Sequence, residues 1–301
     1  MKFKPLTVAD YAELKRFFYR QKYDFCTYSL SALVAWSNEI YQPHYAVDGE
    51  TLVICIEFPQ RPQERHLILP ICPDKTFSPE VLKDLALRTG FEQYRFVPDQ
   101  YLQMYAQNRV AQSFAIREQT EFADYVYLRE DLAHLTGNKY AKKRNLIHQF
   151  KRDYAARIKI EPIVPSMVPE CITFLEAWCA ERNCEREVDE ELFCERIAAI
   201  NALENMDAID MKGLLVRVDD VVSAFGIASK VTHQMGALHF EKAFSKIKGL
   251  YQYFDNLCAR HLFEDFKYIN KESDMNIPGL ARTKKSYHPV KMVRSYALTL
   301  R

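Results

Sequence analysis

The sequence predicts an α/β protein of the α+β kind, built from two copies of one lobe, each a mixed, mostly antiparallel sheet flanked by helices. Three observations point there. The order of helix-like and strand-like segments repeats between the two halves of the chain. The turn signals Asp48-Gly49 and Asp219-Asp220 fall at matching places in that order. The 301 residues, 48% of them hydrophobic, can fill two cores of ordinary size.

Each element has a local reason. Thr7 is placed as the N-cap of a helix reaching about Arg20, Ser29 to Ile40 reads as a second helix, and Tyr45 to Phe58 as a hairpin around Asp48-Gly49. A strand (His66 to Ile71), an amphipathic helix (Ser78 to Thr89) and another strand (Tyr94 to Pro98) follow. The second half repeats this with helices at Pro165 to Arg182 and Glu187 to Asn205 and a hairpin at Leu214 to Val231. Then come a strand at Ala237 to Ala243, a helix at Leu250 to Glu264 and a strand at Lys267 to Asn270. The expected boundaries are a first lobe at 1–130, a basic connecting helix at 131–156 and a second lobe with the ligand pocket at 157–301. The order resembles the GNAT acyltransferase fold, and a tandem of such lobes is similar to the Fem aminoacyltransferases.

Composition narrows the function classes. A net charge of +1 gives no global bias toward nucleic acid or membrane. The eight cysteines include no CxxC pair and read as reduced thiols of a cytoplasmic protein; Cys258, beside Leu257, reads as core. The start Met-Lys-Phe-Lys-Pro has no apolar leader, and no run is long enough to span a bilayer, so a soluble protein is expected. His233, His239 and His261 have no zinc spacing, so no metal is expected, and there is no nucleophile elbow or Walker loop.

The densest chemistry lies between Tyr268 and Pro289. A short strand opens into Asn270, Glu272 and Asp274; a Pro278-Gly279 break follows, then Arg282, Lys284, Lys285, Ser286, Tyr287 and His288. Burying such a mixture is costly unless each group is paired, so the run reads as one wall of a functional site. Asn270, Glu272, Asp274, Pro278-Gly279-Leu280, Lys284, Ser286-Tyr287 and Pro289 resemble the closing motif of the DUF2156 family, related to the C-terminal catalytic domain of phosphatidylglycerol lysyltransferases. Two more blocks agree: Leu132, Leu135-Thr136-Gly137, Tyr140, Lys143-Arg144-Asn145 and Phe150; and Phe240-Glu241-Lys242-Ala243 with Lys248-Gly249-Leu250-Tyr251. Where that pattern carries Gly and Arg, this chain has Asn276 and Ala281. Asn tolerates the left-handed backbone, whereas Ala281 removes an anion contact.

In a GNAT lobe the fourth and fifth strands splay, and the donor binds between them and a helix start. Here that corner is Phe240-Glu241-Lys242-Ala243 and Lys248-Gly249-Leu250-Tyr251. Gly249 alone stands where an acyl-CoA enzyme has a glycine-rich loop, so ordinary acetyl-CoA binding is disfavoured and an aminoacyl-tRNA donor fits better. The plainer reading is a loop-ending glycine with solvated lysines. Glu241, Glu272 and Tyr287 are the candidate catalytic groups: the carboxylates as base for an attacking amine, the phenol as proton donor to a leaving group. The alternatives are salt bridges to Lys271, Lys284 or Arg282, and packing for Tyr287. Lys242 is expected to face away from Glu241. Glu272 and Asp274 share a face if the strand continues. Asn270, Asp274, Lys284 and Ser286 complete the candidate ligand contacts.

Lys139 to Arg157 carries seven Lys or Arg against Asp153, with Leu146, Ile147, Phe150 and Tyr154 at helical spacing. Lys142, Lys143, Arg144 and Asn145 are candidates for a phosphate backbone. The alternative is a linker helix whose cations meet the acid-rich 185–195 segment. With exposed cations, replacing Lys142, Lys143 and Arg144 is expected to leave folding nearly unaffected. The reading is an aminoacyl or acyl transferase with no permanently bound cofactor, taking an aminoacyl-tRNA or acyl-CoA donor, with a tRNA or other phosphate-bearing partner and peripheral contact with lipid head groups. The alternatives are a non-catalytic binding module for a nucleotide, tRNA end or lipid head group, and an interaction scaffold.

Overall fold

The computed structural model describes residues 1–182 and 190–301. Cys184, the first residues of the expected Glu187 helix and residues 185–189 of the acid-rich segment lie outside the described residues.

Among the described residues the chain forms two seven-stranded sheets of the same design. In the first, β1 (Lys4–Pro5), β2 (Gln42–Asp48), β3 (Thr51–Glu57) and β4 (His66–Leu67) are antiparallel neighbours, and β4 runs parallel to β5 (Gln93–Pro98). In the second, β8 (Ile158–Pro162), β9 (Lys212–Val218), β10 (Val221–Lys230) and β11 (Met235–Ala243) are antiparallel, and β11 runs parallel to β12 (Tyr268–Asn270). A helix makes each parallel crossover, Pro79–Thr89 in one lobe and Leu250–His261 in the other. The hairpin turns use left-handed Gly49 and left-handed Asp219 and Asp220. This is the tandem GNAT-like architecture expected from the repeated order.

The last two strands of each sheet were not anticipated. β6 (Phe114–Glu118) edges the first sheet, but the next strand, β7 (Asp124–Leu128), crosses into the second and pairs with β12 and with β13 (Lys291–Val293). β14 (Ser295–Leu300) returns to lie between β5 and β6. The lobes therefore exchange a strand, and the sheets do not divide where the 1–130 and 157–301 ranges do. Nothing local marks this, because partner choice for an apolar strand depends on which edge is open.

Some elements are shorter than expected. The helix after Ser29 covers only Leu30–Ala35, because Asn38 Oδ1 accepts from the amides of Ile40 and Tyr41 and turns the chain. The first helix breaks into Tyr11–Leu14 between two 3-10 turns. Pro278, expected at a break, instead begins a helix, Pro278–Lys285, where its missing N–H costs nothing. The basic segment forms a helix at Ala141–Tyr154, with Ile147 and Phe150 buried against the second lobe. Among the described residues no helix is long and apolar enough to cross a membrane.

Candidate active site

The site begins with a splay. β11 and β12 pair only from Met235–Tyr268 to Ala237–Asn270, after which they diverge. His239 is an extra residue in β11: Ile227 faces Phe240 and Ala228 faces Leu238, so the register skips it. The bulge sends His239 and Glu241 to different partners. His239 Nδ1 lies 2.7 Å from Glu272 Oε1, and Glu241 Oε2 lies 2.7 Å from Lys271 Nζ. Two side-chain pairs thus bridge the gap between the diverging strands.

The Glu241 side is a buried charge cluster. Lys271 also donates to Asp255 Oδ1 at 2.6 Å, and both Lys271 and Lys143 lie over the Tyr287 ring. Burial alone disfavours the Lys271 ammonium, but Asp255 and Glu241 outweigh it and raise its pKa. Burial raises the Glu241 carboxyl, with Lys271 opposing. Tyr287 is raised by burial and then by Asp255 and Glu241, which holds its phenol neutral. Lys143 donates to Ser286 Oγ at 2.7 Å, bringing four of the expected residues (Glu241, Lys143, Ser286 and Tyr287) to one place.

The Glu272 side opens into a cavity of about 370 Å³ between the lobes. Glu272, Ser273 and Met275 form one wall of it, with Cys26 and Asp124 beside them. Asn270 organises this wall: its Nδ2 donates to Asp124 Oδ2 at 2.7 Å and to Asp24 O, and its Oδ1 accepts from the Glu272 amide. Asp124 also accepts from the Cys26 amide at 2.8 Å. Burial pushes its carboxyl up to about 7, with Glu272 adding to the shift. His239 Nε2 is 2.7 Å from Ser229 Oγ, which is 2.8 Å from Ser29 Oγ in the other lobe. Glu272 thus ends a hydrogen-bonded chain through His239 and Ser229 to Ser29.

Glu272 and Asp274 do not share a face, contrary to expectation. The strand stops at Asn270, and Glu272, Met275 and Asn276 are all left-handed. Asp274 instead accepts from Tyr125 Oη at 2.5 Å and from the Asn276 amide at 2.9 Å. Lys284 ties the loop down, its ammonium donating to the carbonyls of Lys271, Glu272 and Ser273; burial lowers its pKa to about 8.

The other expected residues scatter. Lys242 faces away from Glu241, pairing with Glu195 at 2.7 Å and lying 4.2 Å over Trp178. Lys248 is exposed, and Tyr251 Oη accepts from Trp178 Nε1. Gly249 is left-handed, and a Cβ there would stand 2.3 Å from the Leu146 carbonyl, so the connecting helix lies directly on the start of the Leu250–His261 helix. Lys142 and Asn145 are exposed. Lys143 and Arg144 are not free cations. Arg144 donates to the carbonyls of Leu135 and Gly137, so the premise that Lys142, Lys143 and Arg144 are all exposed cations is corrected.

Sequence reasoning missed Asp124, His239 and Cys26. Asp124, the first residue of an apolar strand, is the only one with a local signal; its partner Asn270 is 146 positions away.

The family Phosphatidylglycerol lysyltransferase, C-terminal, matches residues 24–299. A crystal structure of a conserved protein of unknown function from Bacteroides thetaiotaomicron is similar over 100% of both chains, at 29% identity and a TM-score of 0.90. L-PGS from Bacillus licheniformis is similar over 96% of this chain and 91% of its own, at 12% identity and a TM-score of 0.61. A tandem GNAT protein from the clavulanic acid biosynthesis pathway is similar over 98% and 97%, at 10% identity and a TM-score of 0.52. A search of curated proteins finds no match. The fold is that of a tandem GNAT protein, and the chain belongs to the phosphatidylglycerol lysyltransferase C-terminal family.

Proposed function

We propose that the protein transfers an activated acyl group, with aminoacyl-tRNA as donor, to an amine or hydroxyl acceptor in the interlobe cavity. The observation that carries this reading is the meeting of two carboxylates, Asp124 and Glu272, in one largely apolar cavity beside the splayed strands. A carboxyl poised near pH 7 suits a general base. Asp124 takes the proton of the attacking N–H or O–H as the new bond to the carbonyl carbon forms. The donor's ester C–O bond breaks, and its leaving oxygen takes up a proton. Glu272, positioned by His239 and Ser229, holds the acceptor. Glu241, committed to Lys271, is the weaker candidate for the base.

Two features support a donor other than acyl-CoA. The splay is bridged by the His239–Glu272 and Glu241–Lys271 pairs, and the helix start at Gly249 lies against the Leu146 carbonyl. Lys142, exposed on the connecting helix, suits a tRNA phosphate. The family name makes a phosphatidylglycerol head-group hydroxyl the first acceptor to try.

The test is incubation with radiolabelled aminoacyl-tRNAs and acyl-CoAs, with phosphatidylglycerol vesicles or soluble amines as acceptors. Label should leave an aminoacyl-tRNA, and Asp124→Asn should slow this by about 100-fold or more. Micromolar CoA binding that survives physiological salt would return the reading to ordinary acyl transfer. Binding without loss of label would make the protein a binding module.

A further inference from the structure

The wall of the cavity opposite Glu272 belongs to the first lobe, and it contains two buried polar atoms that the protein leaves unmet. His66 is fully buried, and its Nδ1 lies 2.8 Å from the Glu64 carbonyl. A carbonyl only accepts, so Nδ1 carries the proton. Burial, with Arg95 adding, lowers the His66 pKa to about 3, so the ring is neutral and Nε2 is a bare lone pair. That Nε2 has no hydrogen-bond partner among the described residues, and neither has the buried Nε of Arg95. Leaving a buried donor or acceptor unmet is destabilising, and two in one cavity wall ask for a ligand.

Both groups border the same ring: the His66 ring centroid is 5.5 Å from that of Phe96, and Arg95 Cζ lies 5.5 Å from the same centroid. Around them stand Phe25, Trp36, Tyr41, Phe58 and Phe122. Guanidinium groups already lie near several of these rings, Arg61 at Phe58 and Arg95 at Phe96 and Phe122. An ammonium cannot accept from Arg95, and a carboxylate cannot donate to His66. A hydroxyl does both with one atom, and the aromatic walls suit a ring that carries it.

We propose that this first-lobe wall is a specificity subsite for a hydroxyl-bearing aryl group, of the tyrosyl type, whose O–H donates to His66 Nε2 and accepts from Arg95 Nε. The proposal rests on the transferase reading, since it names the group that is moved. It departs from the lysyl group in the family's name.

The test separates binding from turnover by using amino-acid amides without tRNA. In calorimetry, L-tyrosinamide should bind. L-phenylalaninamide should bind about tenfold or more weakly, because it leaves both polar atoms unmet, and L-lysinamide weaker still. His66→Phe should abolish the preference for tyrosinamide over phenylalaninamide while keeping affinity for the ring; if that variant does not fold, Arg95→Met serves the same purpose. Equal or tighter binding of lysinamide, no binding of any amide, or an unchanged preference in the variants would each overturn the subsite. If the amides bind in the expected order but no aminoacyl-tRNA loses its label, the subsite stands and the transferase reading fails. Turnover that shows no preference for the tyrosyl donor would do the reverse.

Discussion

In the first lobe the gap where β4 and β5 part is filled by one aromatic side chain. In the second, the equivalent gap between β11 and β12 is filled by ionisable ones. Tyr28 Oη accepts from the Leu69 amide at 3.2 Å and donates to the Phe96 carbonyl at 3.3 Å, so a single buried phenol ties the two strand ends together. Its pKa is driven up by burial, and it stays neutral. At the matching place in the second lobe stand His239 with Glu272 and Glu241 with Lys271. The same topology therefore opens the same gap twice. A neutral plug closes it for stability, and titratable pairs leave it able to exchange protons. The first lobe instead contributes walls to the cavity, and a strand to its partner sheet.

That exchange of strands gives the largest expected effect. Removing residues 294–301 takes β14 from between β5 and β6, deleting buried Ala297 and Leu298 from the core and leaving the facing edges of both neighbours unpaired. The shortened chain should lose its cooperative thermal transition by circular dichroism. Retention of one sharp transition would mean that the lobes fold without the exchange.

Next come the two gap fillings. Lys271→Met strands Glu241 and Asp255 without their cation and should cost about 3–5 kcal/mol in urea denaturation. Tyr28→Phe leaves the Leu69 amide and the Phe96 carbonyl unmet and should cost about 1–3 kcal/mol. A larger loss at Tyr28 than at Lys271 would reverse the comparison.

The pH dependence sharpens it further. Asp124 has a folded pKa of about 7 against an ordinary value of 3.8, so between these limits the folded state binds more proton than the unfolded state. Its contribution to stability is present below about pH 4 and is lost as pH rises to 7. His66 works in the opposite sense. Its folded pKa of about 3 lies below the ordinary 6.5, so the unfolded state binds more proton and stability rises between those values. Asp124→Asn should remove the first slope and His66→Phe the second, as read from denaturation midpoints between pH 4 and 8. If Asp124 is the base, kcat/KM of the wild type should climb through about pH 7.

The smallest stability effect is expected at Lys142. Lys142→Gln should change stability by no more than about 0.5 kcal/mol while flattening the salt dependence of tRNA affinity. Arg144→Gln, which unties two backbone carbonyls, should lower the melting temperature. An unchanged salt slope in Lys142→Gln would leave this helix a connector only.

The repeated element order, the crossover helices, the left-handed turns and the polar loop after β12 were all legible in the chain, because each follows from near neighbours. Alternation and helical spacing show which face of an element is apolar. The loop from Asn270 to Asp274 was legible as a wall because so many polar groups in one stretch need partners. The identity of those partners was not. Asp124 meets Asn270, His239 meets Glu272 and Ser29 meets Ser229 only because β7 crosses into the second sheet, a bulge skips His239 and the two lobes face each other. By itself the sequence determined two lobes of one kind and the family to which they belong. Tertiary structure alone decided which strands were exchanged and which carboxylates share the cavity, because pairing across an edge and burial in a low-dielectric space depend on groups far apart in the chain.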